Sequence, residues 1–115
     1  MKQILIIDDS KGFLKIISEI LESAGYQVLT ASSGKTGIGL FNIYPFSLIL
    51  TDINMPGGMD GNAVAESIRN SPRFEGTPIV AVTGSSREVR SDLFNDVLRK
   101  PFSTSKLLET VKSFI

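Results

Sequence analysis

The sequence predicts an α/β domain: a parallel sheet of five strands with helices on both faces. Three observations lead there. Short apolar runs alternate with amphipathic stretches along the whole chain. Three of those runs, at Ile4–Ile7, Leu48–Leu50 and Ile79–Val82, have no polar face, as strands covered on both sides require. Each run then stops at polar or turn-forming residues. Strands alternating with helices in this way form a doubly wound sheet with right-handed crossovers.

Taken in order, Ile4 to Ile7 is the first strand and runs into Asp8-Asp9. Ser10 is placed to cap a helix, in which Phe13, Ile16, Ile17, Ile20, Leu21 and Ala24 share one face, opposite Lys11, Lys15, Ser18, Glu19 and Glu22. Gly25 ends that helix. Tyr26 to Thr30 alternates polar and apolar residues, which suits an edge strand. The loop Ala31-Ser32-Ser33-Gly34 leads into a weaker helix from Lys35 to Ile43, since Gly37 and Gly39 inside it each cost about 1 kcal/mol against alanine. Pro45 closes it. The third strand, Leu48 to Leu50, carries Asp52 to its carboxyl end, ahead of Pro56, Gly57 and Gly58.

Asp60 is placed to cap a helix from Asn62 to Asn70, which Ser71-Pro72 breaks. The fourth strand, Ile79 to Val82, ends at Thr83-Gly84. Ser85 and Glu88 have the form of a capping box, opening a short helix carried by Val89, Leu93 and Phe94. Val97 to Arg99 is the fifth strand, followed by Lys100-Pro101. Ser103 caps a last helix with Leu107, Leu108, Val111, Phe114 and Ile115 on one face. The expectation is therefore five strands, five helices and a single domain over residues 1–115, with nothing remaining for an output domain.

Composition narrows the chemistry. At 115 residues the chain can bury a core without disulfide or metal staples. Twelve basic and twelve acidic residues balance, so no net field draws in nucleic acid or an anionic membrane. Cysteine and histidine are both absent, which excludes thiol catalysis, soft-metal ligation and a histidine base. The first apolar run is too short for a signal peptide and meets two aspartates, so the cytoplasm is the expected compartment.

Chemistry-bearing residues collect just past the strands: Asp8 and Asp9 after the first, Asp52 after the third, Thr83 after the fourth and Lys100 after the fifth. In a doubly wound sheet ligands bind outside the carboxyl ends of the strands, at the switch point, which in the order 2-1-3-4-5 lies between the first and third strands. All five side chains then converge on one pocket. Three crowded carboxylates repel one another, and Mg²⁺, a hard cation that takes oxygen ligands, waters and phosphate, resolves the conflict. Asp52 is left as a nucleophile able to form an aspartyl phosphate. Thr83 can donate to a phosphoryl oxygen, and Lys100 can place a point charge on it. A competing motif fails: Gly34-Lys35-Thr36 looks like the end of a P-loop, but Leu29 stands where that loop needs its first glycine.

With these residues in place, the chain resembles the receiver domain of two-component response regulators over essentially its whole length, a flavodoxin-like fold. The residues that carry the resemblance are Asp8-Asp9, Asp52 within Leu-Ile-Leu-Thr-Asp-Ile-Asn-Met-Pro, Met59-Asp60-Gly61, Thr83 and Lys100-Pro101-Phe102. It implies that Asp52 accepts a phosphoryl group from the phosphohistidine of a sensor histidine kinase or histidine phosphotransfer protein. It implies Mg²⁺ held by Asp9, Asp52 and the Asn54 backbone carbonyl, with Asp8 acting through water, and Thr83 and Lys100 on the phosphoryl group. Asn54 and Ser85 would line the pocket and set how long the phosphate survives. The domain would catalyse its own phosphoryl transfer without being a conventional enzyme. It would signal to a separate effector, as a monomer or a phosphorylation-dependent dimer.

Three departures from the family pattern stand out. Val97 occupies the usual aromatic switch position, the interval from Thr83 to Lys100 is short, and Gly57-Gly58 adds a residue before Met59-Asp60. The first two motivate an alternative, a degenerate receiver that binds partners without phosphorylation; the intact acidic set speaks against it, because uncompensated carboxylates are costly to keep.

Overall fold

The structure is a computed structural model and describes residues 2–84 and 89–115. The strands β1 (Gln3–Ile7), β2 (Gln27–Ala31), β3 (Leu48–Asp52), β4 (Ile79–Thr83) and β5 (Asp96–Arg99) form one sheet in the order β2-β1-β3-β4-β5. Every pairing is parallel, as the sequence predicts. Because successive strand side chains point to opposite faces, each aliphatic run feeds two cores at once. Ile4, Ile6, Leu48, Leu50, Val80, Val82 and Leu98 pack on one face against α1 (Lys11–Ser23) and α4 (Thr104–Phe114). Leu5, Ile7, Ile49 and Ile79 pack on the other against α2 (Gly34–Phe41) and α3 (Gly61–Arg69).

The four helices among the described residues start at side-chain caps, three of them (Ser10, Asp60 and Ser103) expected from the sequence and the fourth, Ser33, at a position expected to be loop. Ser10, Ser33, Asp60 and Ser103 accept from the backbone N–H of Phe13, Thr36, Ala63 and Lys106 respectively. The face of α1 is turned from the one expected. Leu14, Ile17 and Leu21 are buried, while Ile16 is 58 % exposed and Ala24 also faces solvent. Phe13 and Ile20 flank the buried stripe and are partly covered.

The fifth helix expected between β4 and β5 is not present among the described residues. That crossover carries instead a 3₁₀ turn at Ser91–Leu93. Side chains of α3 take the backbone groups that a helix would pair internally: Asn62 Oδ1 accepts from the Arg90 N–H at 3.0 Å, and Arg69 Nε donates to the Leu93 carbonyl at 2.7 Å. The Ser85–Glu88 capping box lies outside the described residues.

Two glycines allow helices to approach the sheet more closely than any other residue would. A Cβ on Gly37 would fall 2.4 Å from Ile7 Cδ1, which explains a glycine that weakens α2 in isolation. A Cβ on Gly61 would fall 2.1 Å from the Asp52 backbone oxygen, so the first turn of α3 rests directly on the end of β3. The Gly61 N–H donates to the Ile53 carbonyl at 2.9 Å and ties the two together.

Candidate functional site

Strand register assembles the site. Ile7 pairs with Thr51, which sets Asp8 beside Asp52 at the ends of β1 and β3. Thr83 pairs with Arg99, so Lys100 follows at the neighbouring strand end, and its N–H donates to the Thr83 carbonyl at 2.8 Å. Thr83 is itself buried. The edge strand β2 contributes only support, its Ala31 carbonyl accepting from the Asp8 N–H at 3.0 Å.

One carboxylate oxygen each from Asp8, Asp9 and Asp52 lies within 4.8 Å of the other two. Asp8 and Asp52 are 1 % and 7 % exposed, whereas Asp9 faces solvent. Lys100 Nζ sits 3.0 Å from Asp8 Oδ2 and 3.9 Å from Asp52 Oδ1. Asp8 Oδ1 accepts from the Ser10 N–H at 2.9 Å, so the cap of α1 also fixes a site carboxylate. Burial and then the charge of Asp8 push the Asp52 carboxyl above its ordinary range, against the pull of Lys100 and of the Ile53 and Asn54 N–H groups. Three carboxylates thus face one ammonium. An all-oxygen set with surplus negative charge and one exposed member fits a hard divalent cation that keeps part of its water shell.

The raised Asp52 value has a consequence for stability. Between 3.8 and its folded value the native state holds the proton that the unfolded chain has lost, so stability falls as pH rises through that window. Charged Asp52 is therefore a net cost at neutral pH. Asp52→Asn is expected to be more stable than wild type at pH 7, with the gain gone below about pH 3.8. Urea midpoints at the two pH values test this; a gain of equal size at both would show that charge is not its origin.

Of the residues the sequence proposed, Asp8, Asp9, Asp52 and Lys100 come together at the switch point, Thr83 ends the adjoining strand β4 beside Lys100, and the Asn54 N–H reaches the Asp52 carboxylate. Ser85 lies outside the described residues. Val97 is half-buried in β5, paired with Ala81. One contact had no sequence signal beyond its position in the first turn of α1: the Phe13 ring lies under the Lys100 ammonium, 4.1 Å from Nζ to the ring centroid.

An acidic pocket at the switch point of a sheet ordered 2-1-3-4-5, with a lysine reaching into it and a threonine ending the adjoining strand, defines the CheY-like class of doubly wound domains, whose pocket binds Mg²⁺. The chain belongs to the response regulator receiver domain family, whose model matches residues 4–112. It is 26 % identical over 119 residues to the polar-differentiation response regulator DivK of Brucella ovis, covering 99 % of this chain and 96 % of DivK. It is 33 % identical over 117 residues to the sensor histidine kinase GacS of Pseudomonas protegens, covering 95 % of this chain and 13 % of GacS. The structure superposes on response regulator TrrA of Thermotoga maritima, solved in complex with Mg²⁺-BeF, with a TM-score of 0.90 and 30 % identity over the full length of both chains.

Proposed function

We propose that this receiver domain accepts a phosphoryl group on Asp52 and passes the signal to a separate partner protein. The observation that carries the reading is the geometry around Asp52: a buried carboxylate shares its site with two further carboxylates and has an ammonium 3.9 Å away. Asp9, Asp52 and the Asn54 backbone carbonyl would hold Mg²⁺, with Asp8 acting through water. The cation supplies neutralisation of the charge that builds on the phosphoryl oxygens.

The chain's own residues do the rest. A carboxylate oxygen of Asp52 attacks the phosphorus of a phosphohistidine; the O–P bond forms as the P–N bond breaks. The imidazole nitrogen leaves with the electron pair and takes a proton from solvent. Lys100 and the Thr83 hydroxyl bind the transferred group, and burial of Asp52 limits the access of water. The donor is a sensor histidine kinase or a histidine phosphotransfer protein in the cytoplasm, in keeping with relatives that are response regulators or carry such a stretch within a sensor kinase.

Incubation with acetyl phosphate and Mg²⁺ followed by intact mass is the direct test. Wild type should gain one phosphoryl group; Asp52→Asn, or wild type with chelator, should gain none. An unmodified wild type under conditions that load another receiver would favour the phosphorylation-independent module.

A further inference from the structure

We propose that Phe13 is a positioning residue for phosphoryl transfer, holding the Lys100 ammonium in place against the face of its ring. The proposal rests on Asp52 being the phosphoacceptor and adds a residue that the site chemistry does not include. Four contacts close a circuit. Lys100 Nζ donates to Asp8 Oδ2 at 3.0 Å, and Asp8 Oδ1 accepts from the Ser10 N–H at 2.9 Å. Ser10 Oγ accepts from the Phe13 N–H at 3.2 Å, and the Phe13 ring returns to Lys100 Nζ at 4.1 Å. The ring is itself held edge-on by Phe102, centroids 6.1 Å apart and planes at 86°. Phe102 stands two residues beyond Lys100, so both sides of the contact are anchored to the same stretch of chain.

The physical need for such a support is specific to this site. A lysine ammonium is a point charge on a flexible stem with three donors. In the resting domain its partners are the Asp8 and Asp52 carboxylates, and a divalent cation competes for those same oxygens. An aromatic face attracts an ammonium through its quadrupole and offers nothing that a hard cation takes in preference. The ring contact is thus the one hold on Lys100 Nζ in the circuit that survives when the carboxylates turn to metal, and it leaves the donors of Nζ free for an arriving phosphoryl group.

The test compares wild type, Phe13→Leu, Phe13→Tyr, Lys100→Ala and the double variant Phe13→Leu/Lys100→Ala. Loading of Asp52 by acetyl phosphate is followed by intact mass, Mg²⁺ affinity by calorimetry, and the Lys100 ε-methylene proton shift by NMR. Phe13→Leu should load about three- to tenfold more slowly with Mg²⁺ affinity within twofold of wild type. Phe13→Tyr, which keeps the ring, should restore the rate. In the Lys100→Ala background Phe13→Leu should have no further effect. The ring current should move the Lys100 ε protons upfield in wild type, and Phe13→Leu should return them.

A further slowing of Lys100→Ala by Phe13→Leu, or slow loading by Phe13→Tyr, would overturn the proposal. So would Lys100 ε protons at their ordinary shift in wild type, a measurement that needs no variant to fold. A wild type that takes no phosphoryl group would overturn the phosphoacceptor reading and the kinetic role with it; the Lys100 shift would then report separately on the ring contact.

Discussion

Replacing Lys100 by alanine is expected to slow loading of Asp52 by roughly 10²–10³-fold, the usual effect of removing one donor aimed at developing charge, and at the same time to tighten Mg²⁺ binding. The opposite signs come from one ammonium in two roles. With Nζ 3.0 Å from Asp8 and 3.9 Å from Asp52, Lys100 cancels part of the field that attracts a divalent cation. Deleting it leaves three carboxylates uncompensated and a stronger cation trap. Yet the transferring phosphoryl group loses a positive contact that no other described side chain of the cluster supplies. Initial loading rates and a Mg²⁺ titration on the same variant decide the matter. Parallel losses of rate and metal affinity would mean that Lys100 mainly holds the carboxylates in shape.

The second large effect is structural. Gly61→Ala should destabilise the domain by about 3 kcal/mol, at the upper end of overpacking costs. The added Cβ would sit 2.1 Å from the Asp52 carbonyl oxygen and 2.8 Å from Ile53 Cα, both backbone atoms at the end of a buried strand. Neither can swing aside as a side chain can. The first turn of α3 has to lift, taking with it the Gly61–Ile53 hydrogen bond. Gly58→Ala, where a Cβ meets nothing within 4 Å, is the control and should change stability by less than about 0.5 kcal/mol. Equal urea midpoints for the two variants would refute the close approach. The Asp52 site should suffer too, since the atom struck belongs to the proposed phosphoacceptor.

Strands and site were readable for the same reason. An aliphatic run with no polar face has no solvated alternative, and the residue that ends it must lie at the carboxyl end of the sheet; Asp8, Asp52 and Thr83 follow from that rule, and Lys100 from the strand order and the short fifth strand ahead of it. Helix faces were less readable. On α1, Phe13, Ile16, Ile17 and Ile20 crowd one side by composition, but Leu14 completes the buried stripe and Ile16 is left out. Which edge of a broad apolar stripe turns inward is decided by what it packs on, and α1 turns Leu14, Ile17 and Leu21 into the core beneath the sheet. The roles of Gly37 and Gly61 could not be read locally, because a glycine required by contact with a distant strand looks the same in sequence as one that merely weakens a helix. Among the described residues, the turn that stands in place of the expected fifth helix has a similar origin: Arg90 to Asn95 is ambiguous alone, and Arg69 and Asn62 resolve it from another element.

That strapped crossover also divides the domain for amide hydrogen exchange. Asn95 is bound to β4 twice, its N–H donating to the Ile79 carbonyl at 2.8 Å and its Oδ1 accepting from the Ile79 N–H at 2.9 Å. Its amide therefore exchanges only when the sheet opens. Leu93 and Phe94, whose N–H groups reach no farther than Arg90 and Ser91, exchange whenever the local turn frays. The boundary between the slow and fast cooperative units thus falls at a single peptide bond, between Phe94 and Asn95, directly ahead of the strand that carries Lys100 into the pocket.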